Sequence, residues 1–112
     1  MIYSFYFNGQ KLTVGVNKVN SFEKYIGLMF KSSETENLLF EFKKNVNLPI
    51  HSFFVFFPFL AVWLDDENKV IEFKIVRPFC FSVKPNNKFR RLIEVPINIK
   101  NKRIVSHFCK NI

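Results

Sequence analysis

Short runs of aromatic and β-branched residues, each closed by a polar turn sequence, recur along the chain and constrain its fold most strongly. The first two runs, residues 2–7 and 11–16, flank the sequence Asn8-Gly9-Gln10. Because Asn-Gly readily adopts positive φ at both central positions of a tight turn, this pattern predicts a β-hairpin. Further runs are interpreted as strands, and they lie at residues 38–42, 50–57, 60–64, 70–76, 79–83, 91–95 and 104–108.

Two of these runs also indicate how deeply their strands are buried. Residues 50–57 carry aromatic and β-branched side chains on both faces, so this strand is expected to be buried on both. Residues 70–76 alternate between apolar and charged side chains, which is typical of a half-solvated strand. The longest uncharged stretch, residues 48–64, contains Pro49 and Pro58 and is shorter than the roughly 20 apolar residues of a membrane helix. We therefore expect no membrane partner.

One helical pattern lies near residues 21–29. Asn20 begins a sequence that resembles a capping box, with Glu23 three residues later. Apolar side chains follow at helical spacing, at Phe22, Tyr25, Ile26 and Met29. Because Gly costs about 1 kcal/mol inside a helix relative to Ala, we expect Gly27 to end the helix or to allow a close backbone contact. The predicted fold class is α+β, mainly antiparallel β, as a compact barrel-like or two-sheet single domain over residues 1–112.

Charge is distributed unevenly between the two halves of the chain. The 112 residues include 17 Lys and Arg against 9 Asp and Glu, a net charge of +8, and all of it lies in residues 67–112. Such asymmetry favours an anionic partner, RNA or another polyanion, although a solvated basic face or biased codon usage would give the same composition. The candidate anion-binding residues are Lys84, Lys88, Arg90, Arg91, Lys100, Lys102 and Arg103.

Enzyme and cofactor motifs are missing from the sequence. Three glycines are too few for a glycine-rich phosphate loop, and no Gly-x-Ser-x-Gly sequence occurs. Two Cys and two His would suffice for one metal ion, but their spacing fits no zinc module; they are His51, Cys80, His107 and Cys109. We predict no metal and no cofactor. The N-terminal residues carry no signal-peptide pattern, so a cytoplasmic location is expected.

Glu94 is the one weak catalytic candidate. It is a lone acid in an apolar strand, and by alternation it shares a face with Leu92 and Pro96. A half-buried carboxyl in such a strand is expected to have a raised pKa. The alternative is a salt bridge to a Lys or Arg on a neighbouring strand.

The sequence Gly27-Leu28-Met29-Phe30 lies within a longer pattern that resembles domain-of-unknown-function family 192, also called uncharacterised protein family 0127. The resemblance covers roughly residues 11–97 and follows the archaeal branch, leaving residues 98–112 as a basic C-terminal strand or tail. Its blocks are residues 22–31, 38–42, 50–58, 63–65 with 69–70, and 92–96. It implies a mainly antiparallel β domain with little helix and no established activity.

The same resemblance marks signature positions that are structural or functional. They are Gly27, Leu28, Met29, Phe30, His51, Phe57, Pro58, Asp65 and Glu94. After Phe57-Pro58 the family commonly has Ile-Asp, whereas this chain has Phe59-Leu60. Leu60 therefore indicates either a lost functional Asp or a structural position that has become apolar.

Three classes of function stay open, and the sequence leaves the oligomeric state undefined. We favour a small non-enzymatic binding module whose basic C-terminal half contacts an anionic partner. The first alternative is a small-ligand-binding protein or enzyme with a pocket near Glu94 and residues 27–30. The second is a structural or protein-interaction domain that uses exposed Phe on an edge strand.

Overall fold

Seven strands and one short helix are found in the part of the chain that the structure describes. The structure is a computed structural model, and it describes residues 1–19, 27–52, 54–80 and 82–109. The strands are β1 (Ile2–Phe7), β2 (Gln10–Gly15), β3 (Asn17–Lys18), β4 (Leu38–Val46), β5 (Phe59–Leu64), β6 (Val70–Val76) and β7 (Phe89–Pro96), and the helix is α1 (Lys102–Ser106). No helix among these residues is long and apolar enough to cross a membrane.

The predicted hairpin is confirmed as β1 and β2. The two strands pair antiparallel, with Ile2 opposite Gly15 and Phe7 opposite Gln10. The turn between them uses Asn8 and Gly9, both at positive φ, as the Asn-Gly sequence requires. This hairpin forms a two-stranded sheet of its own.

A five-stranded sheet in the order β3-β4-β7-β5-β6 is the centre of the fold. Its pairs are antiparallel except for the short parallel pair of β3 with β4. Strands β5 and β6 are joined by the turn that the sequence predicts, in which the Asp65 carboxylate accepts hydrogen bonds from the backbone N–H groups of Glu67 and Lys69, each at 2.9 Å. The α+β class with two sheets is thereby confirmed, and the sheets do not close into a barrel.

Apolar side chains cover both faces of the central sheet. On one face, Leu60 and Ile93 pack in a cluster with Phe5 of the hairpin and Val105 of α1. On the other face, the sheet packs against irregular segments that we call the cover, which comprises residues 27–31, 47–52, 54–58, 77–80 and 82–85. Because period-2 alternation sends successive residues to opposite faces, β7 contributes to both cores.

The two predicted strands within the cover are wrong. Residues 50–57 and 79–83 form no strand in their described parts, and the isolated bridge of Ile50 with Val83 is the one ladder contact there. These runs are apolar because they pack across the face of the sheet. An irregular segment packed in this way and a buried strand can have the same apolar sequence without alternation, so the sequence pattern does not distinguish them.

The prediction of a strand at residues 104–108 is also wrong, because the chain forms α1 there. Ile104, Val105 and Phe108 have helical spacing, and all three pack against the hairpin side of the sheet. The helix predicted near residues 21–29 lies mostly outside the described residues, and its described end, residues 27–29, belongs to a turn.

Candidate ligand-binding site

Glu94 lies at the centre of the five-stranded sheet. On β7 it pairs with Leu38 of β4 on one side and with Ala61 of β5 on the other. Its side chain points towards the cover together with that of Leu92, as the alternation predicts, whereas Ile93 points to the hairpin side. Only 5 % of Glu94 is exposed to solvent.

Burial dominates the electrostatics of this carboxyl. It raises the pKa of Glu94 from the usual 4.5 to about 8, because the charged form loses its hydration. Within the described part of the chain, Glu94 has no ion pair. The cation nearest in sequence, Arg91, is directed to the opposite face, where its Nε lies 2.8 Å from Glu41 Oε2. The salt-bridge alternative therefore has no support among these residues.

A cavity of about 500 Å³ lies between the sheet and the cover, with Glu94 in its wall. Strands β4, β5 and β7 form the inner wall, and the cover forms the outer wall. The lining residues are Gly27, Leu28, Phe40, Phe42, Leu48, Pro49, Ile50, His51, Val55, Phe59, Phe89, Leu92 and Glu94. Two of these, Glu94 and His51, have polar side chains, so the cavity is apolar with very few polar groups, which is typical of small-molecule sites.

Gly27 places the backbone of the cover beside the carboxyl group of Glu94. Its φ is +53°, and a Cβ atom added there would lie 3.4 Å from Glu94 Oε1 and 3.7 Å from Phe40 Cζ. Both distances are ordinary van der Waals contacts, so glycine suits this position because of its left-handed backbone. Of the two roles expected for Gly27, the end of a helix concerns residues outside the described part of the chain, and the close backbone contact stays a prediction.

Ser52 joins two segments of the cover, residues 47–52 and residues 77–80. Its buried hydroxyl donates to the carbonyl oxygen of Arg77 and accepts from the backbone N–H of Cys80, both at 2.6 Å. Its own backbone N–H donates to the Cys80 carbonyl oxygen at 2.9 Å. The outer wall of the cavity is thus fixed by hydrogen bonds although it has no regular ladder. Nothing in the sequence indicates this role of Ser52, because a serine in an apolar run carries no signal of it.

The signature positions of the resemblance have different environments. Leu28 and Phe57 are buried in the core beneath the cover, and Met29 packs against that core. His51 lines the cavity, and Asp65 caps the β5–β6 turn. Two others, Phe30 and Pro58, are exposed.

Leu60 lies on the opposite side of the sheet from Glu94. It is fully buried in the cluster that packs against the hairpin, together with Val62 of the same strand. The position at which the resemblance implies an Asp is therefore apolar here and does not border the cavity.

The predicted anion-binding residues do not form one surface. Arg90 donates from Nε to the Phe42 carbonyl oxygen at 2.6 Å, whereas its neighbour Arg91 binds Glu41 on the other face of β7. The others lie before and after this eight-residue strand, whose length is about 26 Å. Lys84 and Lys88 precede it, and Lys100, Lys102 and Arg103 follow it.

An open groove of about 770 Å³ lies between β2 and α1 and contains Lys11, Lys100 and Arg103. At this groove, Asn37 and Asn101 are buried and donate hydrogen bonds to each other through their side-chain amides, at 3.1 and 2.9 Å. These amides are satisfied within the protein, which distinguishes the groove from the cavity at Glu94.

The Cys and His residues do not converge on a metal site. Cys80 packs on the cover side of the sheet and Cys109 on the hairpin side, so neither a disulfide nor a shared ion can join them. His51 lies at the cavity and His107 at the open groove.

No family model and no curated protein matches this sequence. Two solved structures have a similar fold. A protein of unknown function from Novosphingobium aromaticivorans DSM 12444 is 12% identical, with a TM-score of 0.73 over 93% of this chain and 76% of its own. A "putative transcription regulator" from Sinorhizobium meliloti 1021 is 13% identical, with a TM-score of 0.75 over 93% of this chain and 84% of its own. At this identity the similarity shows the fold alone, and the resemblance to family 192 stays a prediction.

Proposed function

We propose that the protein binds a small, mostly apolar molecule in the cavity between the sheet and the cover, and that a polar group of this ligand hydrogen-bonds to Glu94. The observation that supports this proposal is a buried carboxyl, without an ion-pair partner among the described residues, in the wall of an apolar cavity. This is the pocket near Glu94 and residues 27–30 that the sequence suggests as an alternative.

The energetics of burial favour a binding role for Glu94 over a structural one. Burial of a polar group costs about 1–3 kcal/mol where hydrogen bonds do not compensate it, and more if the group is charged. An apolar residue at the same position would avoid this cost. A ligand that hydrogen-bonds to the carboxyl would offset it, and this compensation would act only when the ligand is bound.

The pKa of Glu94 indicates which polar group the ligand carries. Since this pKa is about 8, the carboxyl is mostly protonated at neutral pH. A protonated carboxyl donates one hydrogen bond and accepts others, so it is complementary to an amide or another carboxylic acid.

Three matched probes test the proposal by calorimetry or by chemical shifts of the Gly27 and Leu28 amides. They are phenylacetamide, the cation phenethylamine and the hydrocarbon propylbenzene. We expect the amide to bind and its affinity to fall about tenfold in Glu94→Leu, the effect of one lost hydrogen bond. Glu67→Leu, which changes an exposed acid in the β5–β6 turn, is the control. The proposal would be contradicted if Glu94→Leu and Glu67→Leu bound phenylacetamide with equal affinity, or if none of the three probes bound the protein.

A polyanion partner is a second proposal, and the charge asymmetry of residues 67–112 supports it. Because Lys84 and Lys88 precede β7 in the chain whereas Lys102 and Arg103 follow it, the polyanion would have to contact residues on both sides of this strand. RNA is long enough to do so, whereas a single small anion is not.

A further inference from the structure

Four phenylalanine side chains are exposed on the outer surface of the cover. Their exposed fractions are 70% for Phe30, 46% for Phe54, 63% for Phe56 and 46% for Phe79. Soluble proteins rarely expose contiguous apolar patches, and those that occur are often interaction sites. We call these four residues the aromatic patch.

The aromatic patch consists of two pairs of rings in contact. The rings of Phe30 and Phe54 stack with centroids 4.9 Å apart, and those of Phe56 and Phe79 pack edge to face at 5.3 Å. The backbone N–H of Phe30 donates to the Phe54 carbonyl oxygen, and that of Phe79 donates to the Ser52 carbonyl oxygen. Backbone hydrogen bonds therefore join residues 27–31 to residues 54–58, and residues 77–80 to residues 47–52.

The backbone of the patch is strained. Phe30, Phe54 and Phe79 have φ values of 60°, 56° and 60°, in the left-handed region that bulky residues rarely adopt. Such conformations cost about 1–3 kcal/mol each and persist where the surrounding structure imposes them, often at functional sites. Here they accompany aromatic side chains that are turned outwards, although the core beneath the cover is apolar.

Basic residues lie close in sequence to the residues of the patch. Lys31 follows Phe30 directly, and Arg77 is two residues before Phe79. Lys84 belongs to residues 82–85 of the cover. All three side chains are exposed. The described residues of the cover include no Asp or Glu. An aromatic surface with basic neighbours is complementary to a bilayer that contains anionic lipids, because the rings enter the interfacial region and the cations attract the headgroups.

Although the sequence predicts no membrane partner, we propose that the cover docks on an anionic lipid surface through the aromatic patch, with Lys31 and Arg77 at the headgroups. The pairing of the rings favours lipid over single-stranded nucleic acid, because each ring already covers part of its neighbour and offers less free face for base stacking. Leu28 and Val55, which line the cavity, are close in sequence to Phe30 and Phe56, so the docked surface would lie beside the cavity wall. Docking itself does not require that the cavity be occupied.

Sedimentation with vesicles tests this proposal on the full chain. The vesicles are phosphatidylcholine alone and phosphatidylcholine mixed with phosphatidylglycerol. We expect binding to the mixed vesicles that weakens with salt. Phe56→Ser and Phe30→Asn should each lower the partition coefficient at least fivefold, and Asn is chosen because it tolerates the left-handed backbone of Phe30. The matched control is Ile99→Ser, which removes an apolar side chain that is 91% exposed and lies beyond β7.

Circular dichroism of each variant distinguishes loss of the fold from loss of docking. A double variant, Lys31→Glu with Arg77→Glu, tests the contribution of the positive charge and leaves the rings unchanged. The charge variant should lose the preference for phosphatidylglycerol. Several results would overturn the proposal: no vesicle binding by the wild type, equal binding by the folded Phe variants, or a dimer that dissociates in Phe56→Ser. Binding of single-stranded RNA, but not of vesicles, that falls in the Phe variants would instead assign the patch to nucleic acid.

Discussion

The pKa of Glu94 makes the stability of the fold depend on pH, and Glu94→Gln isolates this dependence. The folded protein holds the Glu94 proton with a pKa of about 8, whereas the unfolded chain releases it with the usual value of 4.5. Each pH unit between these values corresponds to about 1.4 kcal/mol. The protonated carboxyl therefore contributes about 5 kcal/mol that the ionised one lacks, a large share of the 5–15 kcal/mol typical of a domain.

The direction of the effect is set by which state binds the proton. Between pH 4.5 and pH 8 the folded state retains the Glu94 proton and the unfolded state does not, so the free energy of unfolding falls as pH rises. The contribution is fully present below pH 4.5 and is lost once the pH exceeds about 8. Gln cannot ionise, so Glu94→Gln lacks this slope.

Urea unfolding of both proteins across this pH range gives the measurement. All other titrating groups are shared, so the difference between the two free energies of unfolding reports Glu94 alone. We expect the wild type to lose about 5 kcal/mol relative to Glu94→Gln between pH 4.5 and pH 8. Parallel curves across that range would refute the reasoning, since they would mean that the folded protein solvates or pairs the carboxylate. Glu67→Gln, at an exposed acid, should parallel the wild type.

Three further predictions concern the cover and the basic residues. Gly27→Ala should lower the free energy of unfolding by about 1–2 kcal/mol, because alanine is strained in the left-handed backbone of this residue; a neutral effect in urea unfolding would argue against that backbone conformation. Ser52→Ala should cost about 1–3 kcal/mol because it leaves the Cys80 N–H unpaired, whereas Ser106→Ala, at an exposed hydroxyl, should change stability by less than about 0.5 kcal/mol. Charge reversal at Lys84 with Lys88, and separately at Lys102 with Arg103, should each weaken RNA binding in filter assays at low salt. Loss from only one pair would restrict the RNA site to one end of β7.

The sequence predicts the elements whose residues carry local signals. The hairpin follows from Asn8-Gly9, and the turn after β5 follows from Asp65-Asp66-Glu67-Asn68. Strand β7 follows from the apolar run at residues 91–95, and the two-residue period of a strand places Glu94 on one face with Leu92. These predictions succeed because turn chemistry and side-chain period are properties of a few neighbouring residues.

The cover illustrates what local patterns do not contain. Ile50, Val55 and Val83 contribute to the core as a strand would, but their segments cross the sheet face without forming a ladder. Whether a Phe in this cover points inwards or outwards depends on backbone conformations such as the positive φ of Phe54 and Phe79, which have no signal in composition. In a chain with 16 Phe, composition predicts that most of these residues lie in the core. It therefore does not show which four form the exposed aromatic patch.

The positions of Leu60 and Glu94 decide whether the Asp that the predicted family resemblance implies at position 60 could take part in the cavity. Both lie in the central sheet, where Leu60 pairs with Val95 and Ala61 pairs with Glu94. Neighbouring residues along β5 point to opposite faces, so an Asp at position 60 would face the hairpin core and could not enter the cavity. Leu60 therefore occupies the hairpin side of the sheet and does not affect the cavity. The carboxyl at Glu94 and the apolar side chain at Leu60 are independent features, and a binding role for Glu94 does not require an Asp at position 60.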